Sequence, residues 1–311
     1  MTELDLDGLR IRLARSGVRE VGVLAGGASS LTFRGVLDEQ PVVVKVAPPG
    51  HEPVGHRDVL RQARILTALG PTDVPVPEVL IEDAGSPPLF VMTLVAGESF
   101  EPLFDGGTGF DDTVAQRYRS SARTLATLHA LSPVDLGAGQ EPVVDAAAEV
   151  QRWCATLRTV DQDLVPGWEA VSGELLAGVP APLGPAIVHG DFRLGNLLAV
   201  GSEVTAVIDW EIWSVGDPRI DLGWFLANAD PATYSRPSSY VDAVPSRGDL
   251  LEQYGDAPDV AWFIALACFK SAATWSLIVK HNRRRPTPRA EFEEMAPVLP
   301  RLLQRARTLL A

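Results

Sequence analysis

Lysine is nearly absent from this chain: 311 residues hold three lysines against twenty-four arginines, with only two cysteines, three methionines and five histidines. Cys154 and Cys268 stand alone, outside any CxxC or His-rich spacing, which argues against a zinc site or a disulfide framework. Each reads as a small buried residue. The histidines, at 51, 56, 129, 189 and 281, are too scattered to suggest imidazole ligation, so carboxylate-bound Mg²⁺ is the one metal to expect. No window approaches eighteen uninterrupted apolar residues, and the start, Met1-Thr2-Glu3-Leu4-Asp5, is acidic where a secretory signal is basic. The expectation is therefore a cytoplasmic protein with no membrane partner.

Basic charge is also short, at 27 Lys and Arg against 40 Asp and Glu, for a net charge of -13. Such a balance argues against nucleic acid as a partner, which demands a basic face. The deficit is uneven. Residues 1–96 carry twelve acidic and nine basic side chains, residues 97–282 twenty-five and eleven, and residues 283–311 three and seven. An acidic field attracts a cationic ligand, although the same charge also serves solubility. What the chain does have is apolar content, 46% of its residues, enough to bury the core of one large domain or two lobes.

The most informative stretch is Ile187-Val188-His189-Gly190-Asp191-Phe192-Arg193-Leu194-Gly195-Asn196-Leu197-Leu198, followed by Val207-Ile208-Asp209-Trp210. Ile187-Val188 reads as a short strand entering a loop. Leu197–Val200 and Val204–Ile208 read as two more strands, turned by Gly201-Ser202 into a hairpin. In phosphoryl transfer by protein kinases, an HxD Asp receives the attacking hydroxyl, while an Asn and a later Asp hold Mg²⁺ on the triphosphate. Asp191, Asn196 and Asp209 have that order and spacing. Taken singly, each residue equally suits a turn cap.

Upstream, a helix is expected over Leu9–Ser16, then strands over Val21–Leu24, Leu31–Leu37 and Pro41–Val46. Gly26-Gly27-Ala28-Ser29-Ser30 between the first two offers backbone N–H groups and the Ser29 and Ser30 hydroxyls to phosphates, or simply turns a hairpin. Lys45 interrupts a β-branched run downstream of that loop, where the kinase template puts the phosphate-binding lysine.

With these residues in view, the chain resembles the aminoglycoside phosphotransferase-like family, which also includes choline and homoserine kinases. The wording HGDFRLGN and IDWEIWSVGDPRIDLGWFL is most similar to the branch sometimes fused to acyl-CoA dehydrogenases. The resemblance spans about residues 20 to 230. It implies an α+β, two-lobed protein-kinase-like fold, with a small, mostly antiparallel β amino-terminal lobe carrying one long helix (1–96) and a larger, mainly helical carboxy-terminal lobe (97–311). It also implies an ATP- or GTP-dependent, Mg²⁺-dependent transfer to the hydroxyl of a small molecule. By the match, Asp191 is the catalytic base, Asn196 and Asp209 are metal ligands, Lys45 neutralises phosphate charge, and His189 and Arg193 brace the loop. Thr93 to Val95 would be the hinge whose backbone reads the base.

One departure stands out. Relatives have Glu where Gln62 lies in the expected helix Arg57–Leu69. An amide can hydrogen-bond Lys45 but cannot pair its charge, and Asp58, one turn earlier, is the expected substitute.

Further on, helices are expected over Thr113–Leu131, Ala146–Arg158, Trp168–Leu176 and Val260–Val279, and Asp221 reads as an N-cap that supports the catalytic loop. Glu211 is placed to help bind Mg²⁺ or an amine on the substrate. Trp213 and Trp224 either stack on a substrate or line the core. His129 reads as a capping or packing residue.

The favoured acceptor is an aminoglycoside or amino-sugar compound, on the acidic segment; the alternative is a hydroxyacyl-type metabolite, which suits the fused branch and Arg283-Arg284-Arg285. A nucleotide-binding regulator of weak activity is the reading that Gln62 keeps open. A monomer or homodimer is expected.

Overall fold

The computed structural model describes residues 4–24, 31–50, 52, 54–104, 112–235 and 238–311. In chain order the elements begin α1 (Leu6–Arg15), β1 (Arg19–Val23), β2 (Leu31–Leu37), β3 (Gln40–Val46), α2 (Val59–Leu69), β4 (Val79–Asp83), β5 (Leu89–Thr93), α3 (Asp112–His129) and β6 (Val143–Val144). They continue α4 (Ala146–Leu157), α5 (Trp168–Ala177), β7 (Ala186–Val188), β8 (Leu197–Val200), β9 (Glu203–Val207), β10 (Ser214–Gly216), α6 (Arg219–Ala229) and α7 (Pro231–Tyr234). The last four are α8 (Arg247–Tyr254), α9 (Val260–Arg283), α10 (Ala290–Glu293) and α11 (Leu299–Leu310). Two compact units result, one of Met1–Ser99 with Asn196–Trp213, the other of Phe100–Gly195 with Ser214–Ala311.

The first unit is built on an antiparallel five-stranded sheet in the order β1-β2-β3-β5-β4. Central β3 is buried from Val42 through Val46, the pattern of a strand covered on both faces. Its hairpin with β2 turns at Asp38 and Glu39, both at positive φ (48° and 63°), as a two-residue primed turn requires. Asp5 caps α1 by accepting the Gly8 N–H (2.9 Å), so that helix begins earlier than its apolar pattern suggests, and Leu9 and Leu13 pack with Phe33, Val42 and Val44. Asp58 caps α2 in the same way through the Arg61 N–H (3.0 Å). The β8–β9 hairpin joins this unit: Glu98 pairs with Ala199, and the Val207 N–H donates to the Pro75 carbonyl (2.8 Å).

The second unit is mainly helical, with a small β6-β10-β7 sheet. Its centre is α9, which packs against α4, α6 and α11 through Phe263, Leu266, Phe269 and Ala272. By length and composition α9 would suffice to cross a membrane, but 78% of its most apolar window is buried inside this unit, the signature of a core helix. Every residue of α6 is buried, so it lacks the one-sided apolar stripe that marks a surface helix. It starts at Arg219 behind Pro218 rather than at Asp221, which therefore lies within its first turn and is not a cap.

Candidate active site

Lys45 lies on β3 opposite Thr32 and Phe90, and is 8% exposed. Its ammonium donates to Asp209 Oδ1 at 2.8 Å and to Gln62 Oε1 at 3.3 Å. Asp209 follows β9 with φ 68°, a left-handed conformation that Asp tolerates better than most residues. Asn196 precedes β8, and its carbonyl accepts the Ile208 N–H (3.0 Å), so Asn196 and Asp209 sit at the same end of one hairpin. A small pocket beside Lys45 and Asp209 is walled by Leu66, Pro77, Phe90 and Met92.

Asp58 is not the partner of Lys45. It is spent on capping α2 and on Arg64 (3.4 Å), because capping requires it to stand before the helix. Gln62 alone from α2 reaches the lysine, and its Nε2 is buried with no hydrogen-bond partner.

Thr93 is half-buried, with its Oγ1 accepting the Glu78 N–H (3.0 Å) and its own N–H donating to the Glu78 carbonyl (2.9 Å); Val95, also half-buried, follows two residues on. Glu211 is half-buried in the turn after Asp209. Trp213 packs against α2: its indole N–H donates to the Arg61 carbonyl (3.3 Å), its own carbonyl accepts from Arg61 Nη1 (2.8 Å), and the guanidinium lies 3.8 Å from its ring. Ser29 and Ser30 lie outside the described residues.

In the second unit, Asp221 organises the loop after β7. Its fully buried carboxylate accepts the backbone N–H groups of His189 (2.5 Å) and Gly190 (2.8 Å), and stands 3.4 Å from His129 Nε2. Burial pushes this carboxyl up, but the His129 hydrogen bond, the charges of His129 and His189, and the loop N–H more than offset it and hold Asp221 below the usual range. Gly190 has φ 88°, where a side chain is strained.

The next N–H, that of Asp191, donates to His189 Nδ1 at 3.2 Å, so His189 braces the loop from inside. Asp191 Oδ1 receives the Trp224 indole N–H at 2.7 Å and lies 3.4 Å from Arg193 Nε. Arg193 is in turn held by buried Glu101 (3.0 Å), which also accepts the Gly195 N–H (2.8 Å). Burial pushes the Glu101 carboxyl up, against the pull of Arg193. Lys270 of α9 donates to the Gly190 carbonyl and sits 3.8 Å from the Trp224 ring.

The pattern of the phosphotransferase enzyme family matches residues 20–260, more than half of the chain. The chain belongs to this family. Among known proteins, acyl-CoA dehydrogenase family member 11 of Homo sapiens is 26% identical over 284 residues, covering 83% of this chain and 36% of that protein. The chain thus spans about a third of the length of that relative.

Among solved structures, a Ralstonia eutropha JMP134 protein assigned as an aminoglycoside phosphotransferase superposes with a TM-score of 0.76 at 20% identity, over 98% of this chain and 99% of that one. An aminoglycoside phosphotransferase in ternary complex with ADP and hygromycin B gives 0.67 at 17% identity, over 97% and 98%. These likenesses show the fold, α+β and kinase-like, with an antiparallel sheet unit and a helical unit.

Three contacts of this candidate site escape a reading of the sequence: Glu101 with Arg193, the indole bond of Trp224 to Asp191, and Lys270 with the Gly190 carbonyl. Lys270 alone had a signal, a lysine in an apolar helix of a chain that holds only three.

Proposed function

We propose that the chain transfers the terminal phosphoryl group of ATP or GTP, with Mg²⁺, to a hydroxyl group of a small molecule. The observation that carries this reading is the pairing of buried Lys45 with half-buried Asp209 at 2.8 Å, with Asn196 at the same hairpin end and Asp191 held separately on a braced loop. The donor set suits Mg²⁺. Asn196 and Asp209 supply amide and carboxylate oxygens, and no group of three His, Cys, Asp or Glu able to hold a metal occurs among the described residues. A hard ion that keeps water and phosphate oxygens in its shell needs no more from the protein. When bound, Mg²⁺ supplies charge neutralisation of the phosphates.

This chain's own residues do the rest. Lys45 adds positive charge for the phosphates, and Asp191 accepts the hydrogen bond of the acceptor hydroxyl and takes its proton. Trp224 and Arg193 aim that carboxylate, and His189 holds its peptide N–H. Asp191→Asn should lower phosphoryl transfer by about 100-fold or more while leaving nucleotide affinity, read by calorimetric titration, within about twofold. Transfer at the original rate by that variant overturns the assignment.

For the acceptor, two observations favour a hydroxyacyl-type or otherwise anionic compound. Lys270 and Arg193 bring positive charge beside Asp191, and a known relative matched over 83% of the chain is an acyl-CoA dehydrogenase family member. The net charge of -13 favours an amino sugar instead. A screen of hydroxyacyl-CoAs, aminoglycosides, macrolides, choline and amino-acid alcohols, with ATP and with GTP, separates them by ADP or GDP release. A regulator reading rests on the neutral Gln62 beside Lys45, and nucleotide binding without turnover across that screen would favour it.

A further inference from the structure

We propose that Lys270 is a positioning residue for Asp191: its ammonium fixes the peptide from which Asp191 projects and backs the indole that aims its carboxylate. The inference rests on the reading of Asp191 as the proton acceptor.

Lys270 sits midway along α9 between the buried residues Phe269 and Ser271, itself 7% exposed. An apolar side chain would pack there without desolvating a charge, so the cation needs a reason. Its contacts supply one. The Gly190–Asp191 peptide is planar, and both of its polar ends are held: the Gly190 carbonyl by Lys270 Nζ, and the Asp191 N–H by His189 Nδ1 at 3.2 Å. The preceding N–H, that of Gly190, is held by Asp221 (2.8 Å).

The same ammonium lies 3.8 Å from the Trp224 ring centroid and 5.7 Å from that of Trp153, within the range of cation–π attraction. Trp224 in turn donates to Asp191 Oδ1 (2.7 Å), and Trp153 donates to Glu149 Oε2 (2.9 Å). One cation on the core helix therefore touches both routes by which Asp191 is oriented, through its backbone and through its indole donor. The charges around Lys270 are those of Asp191, Glu149 and Asp221, with Arg152 opposing. Arg193 Nε also lies 3.4 Å from Asp191 Oδ1. Burial pushes the Lys270 ammonium below its ordinary range, while the three carboxylates pull it back.

The test uses the full chain with MgATP and water as the acceptor, read as ADP formation from pH 5 to 9. Lys270→Met keeps the side-chain length and removes the charge. It should lower kcat about tenfold with KM for MgATP within about twofold, and move the acid limb of the kcat profile to higher pH, because a carboxylate that loses a nearby cation protonates more readily. Lys270→Arg, which keeps the charge, should stay within about threefold of the parent. In an Asp191→Asn background, Lys270→Met should cost nothing further, since it acts only through Asp191.

If Asp191→Asn loses hydrolysis while Lys270→Met matches the parent in kcat and acid limb, the positioning role is overturned and the reading of Asp191 stands. If Asp191→Asn itself hydrolyses at the parent rate, the reading of Asp191 falls first. Should Lys270→Met fail to fold by circular dichroism, Lys270→Arg decides: a loss as large as that of Asp191→Asn overturns a role that needs only a cation.

Discussion

Gln62 is where the chain departs from the resemblance read in its sequence. It meets Lys45 through a neutral acceptor at 3.3 Å, while its own Nε2 is buried without a partner. A hydrogen bond to a charged acceptor is about twice as strong as a neutral one, and an orphaned buried donor costs about 1–3 kcal/mol. Gln62→Glu removes the orphan and pairs the charge, so kcat for ADP formation should rise several-fold; a fall would mean that the amide has a task of its own. The opposite situation holds at Asp217 and Arg219. The guanidinium, 1% exposed, donates to both carboxylate oxygens (3.0 and 2.7 Å) and to the carbonyls of Ala181 (2.6 Å) and Pro258 (3.0 Å). Burial pushes the Asp217 carboxyl up, but Arg219 and the Leu183 N–H more than offset it and hold it below the usual range. A depressed carboxylate stabilises the fold fully above its unfolded pKa, about 3.9, and loses that contribution as pH falls through the folded value. Arg219→Met should therefore cost about 3–5 kcal/mol at neutral pH by urea denaturation, with the gap to the parent narrowing below about pH 4.

At the scale of elements, the second unit depends on how closely α6 approaches α9. Gly223 makes the approach possible, since a Cβ there would meet the Phe263 carbonyl and lie 2.8 Å from the Phe263 Cβ. Backbone cannot swing aside as a side chain can, so Gly223→Ala should destabilise the fold by about 3 kcal/mol, seen as a lower urea midpoint. The consequence extends to the loop, because Asp221 lies on the same helix and carries the N–H groups of His189 and Gly190. Helix α2 offers a milder comparison. Asp58 caps it through the Arg61 N–H, and Asp58→Ala should cost about 1 kcal/mol of stability without the selective loss of turnover expected had it been the partner of Lys45.

Across the whole molecule, a net charge of -13 opposes the local cations Lys270 and Arg193 beside Asp191. Long-range fields are screened within about 10 Å at 0.1 M salt, whereas buried charges are screened much less. Raising ionic strength from about 0.05 to 0.3 M should thus raise kcat/KM for an anionic acceptor and lower it for a polyamine, measured at saturating nucleotide. A flat response for both would show that the global charge serves solubility alone. The loop after β7, the hairpin ending at Asp209, the place of Lys45 on β3 and the β2–β3 turn were legible in the chain because each is written in consecutive residues, where spacing and turn chemistry act locally. The bond of Glu101 to Arg193, separated by 92 residues, that of Lys270 to Gly190, separated by 80, and that of Trp224 to Asp191, separated by 33, were not, nor was the use of Asp58 as a cap. By itself the sequence determined the α+β composition, the family and the order of the chemistry-bearing groups. Only the tertiary structure decided which side chains aim them, because burying α6 and α9 sets distant residues within hydrogen-bond reach, and no periodicity in the chain records that distance.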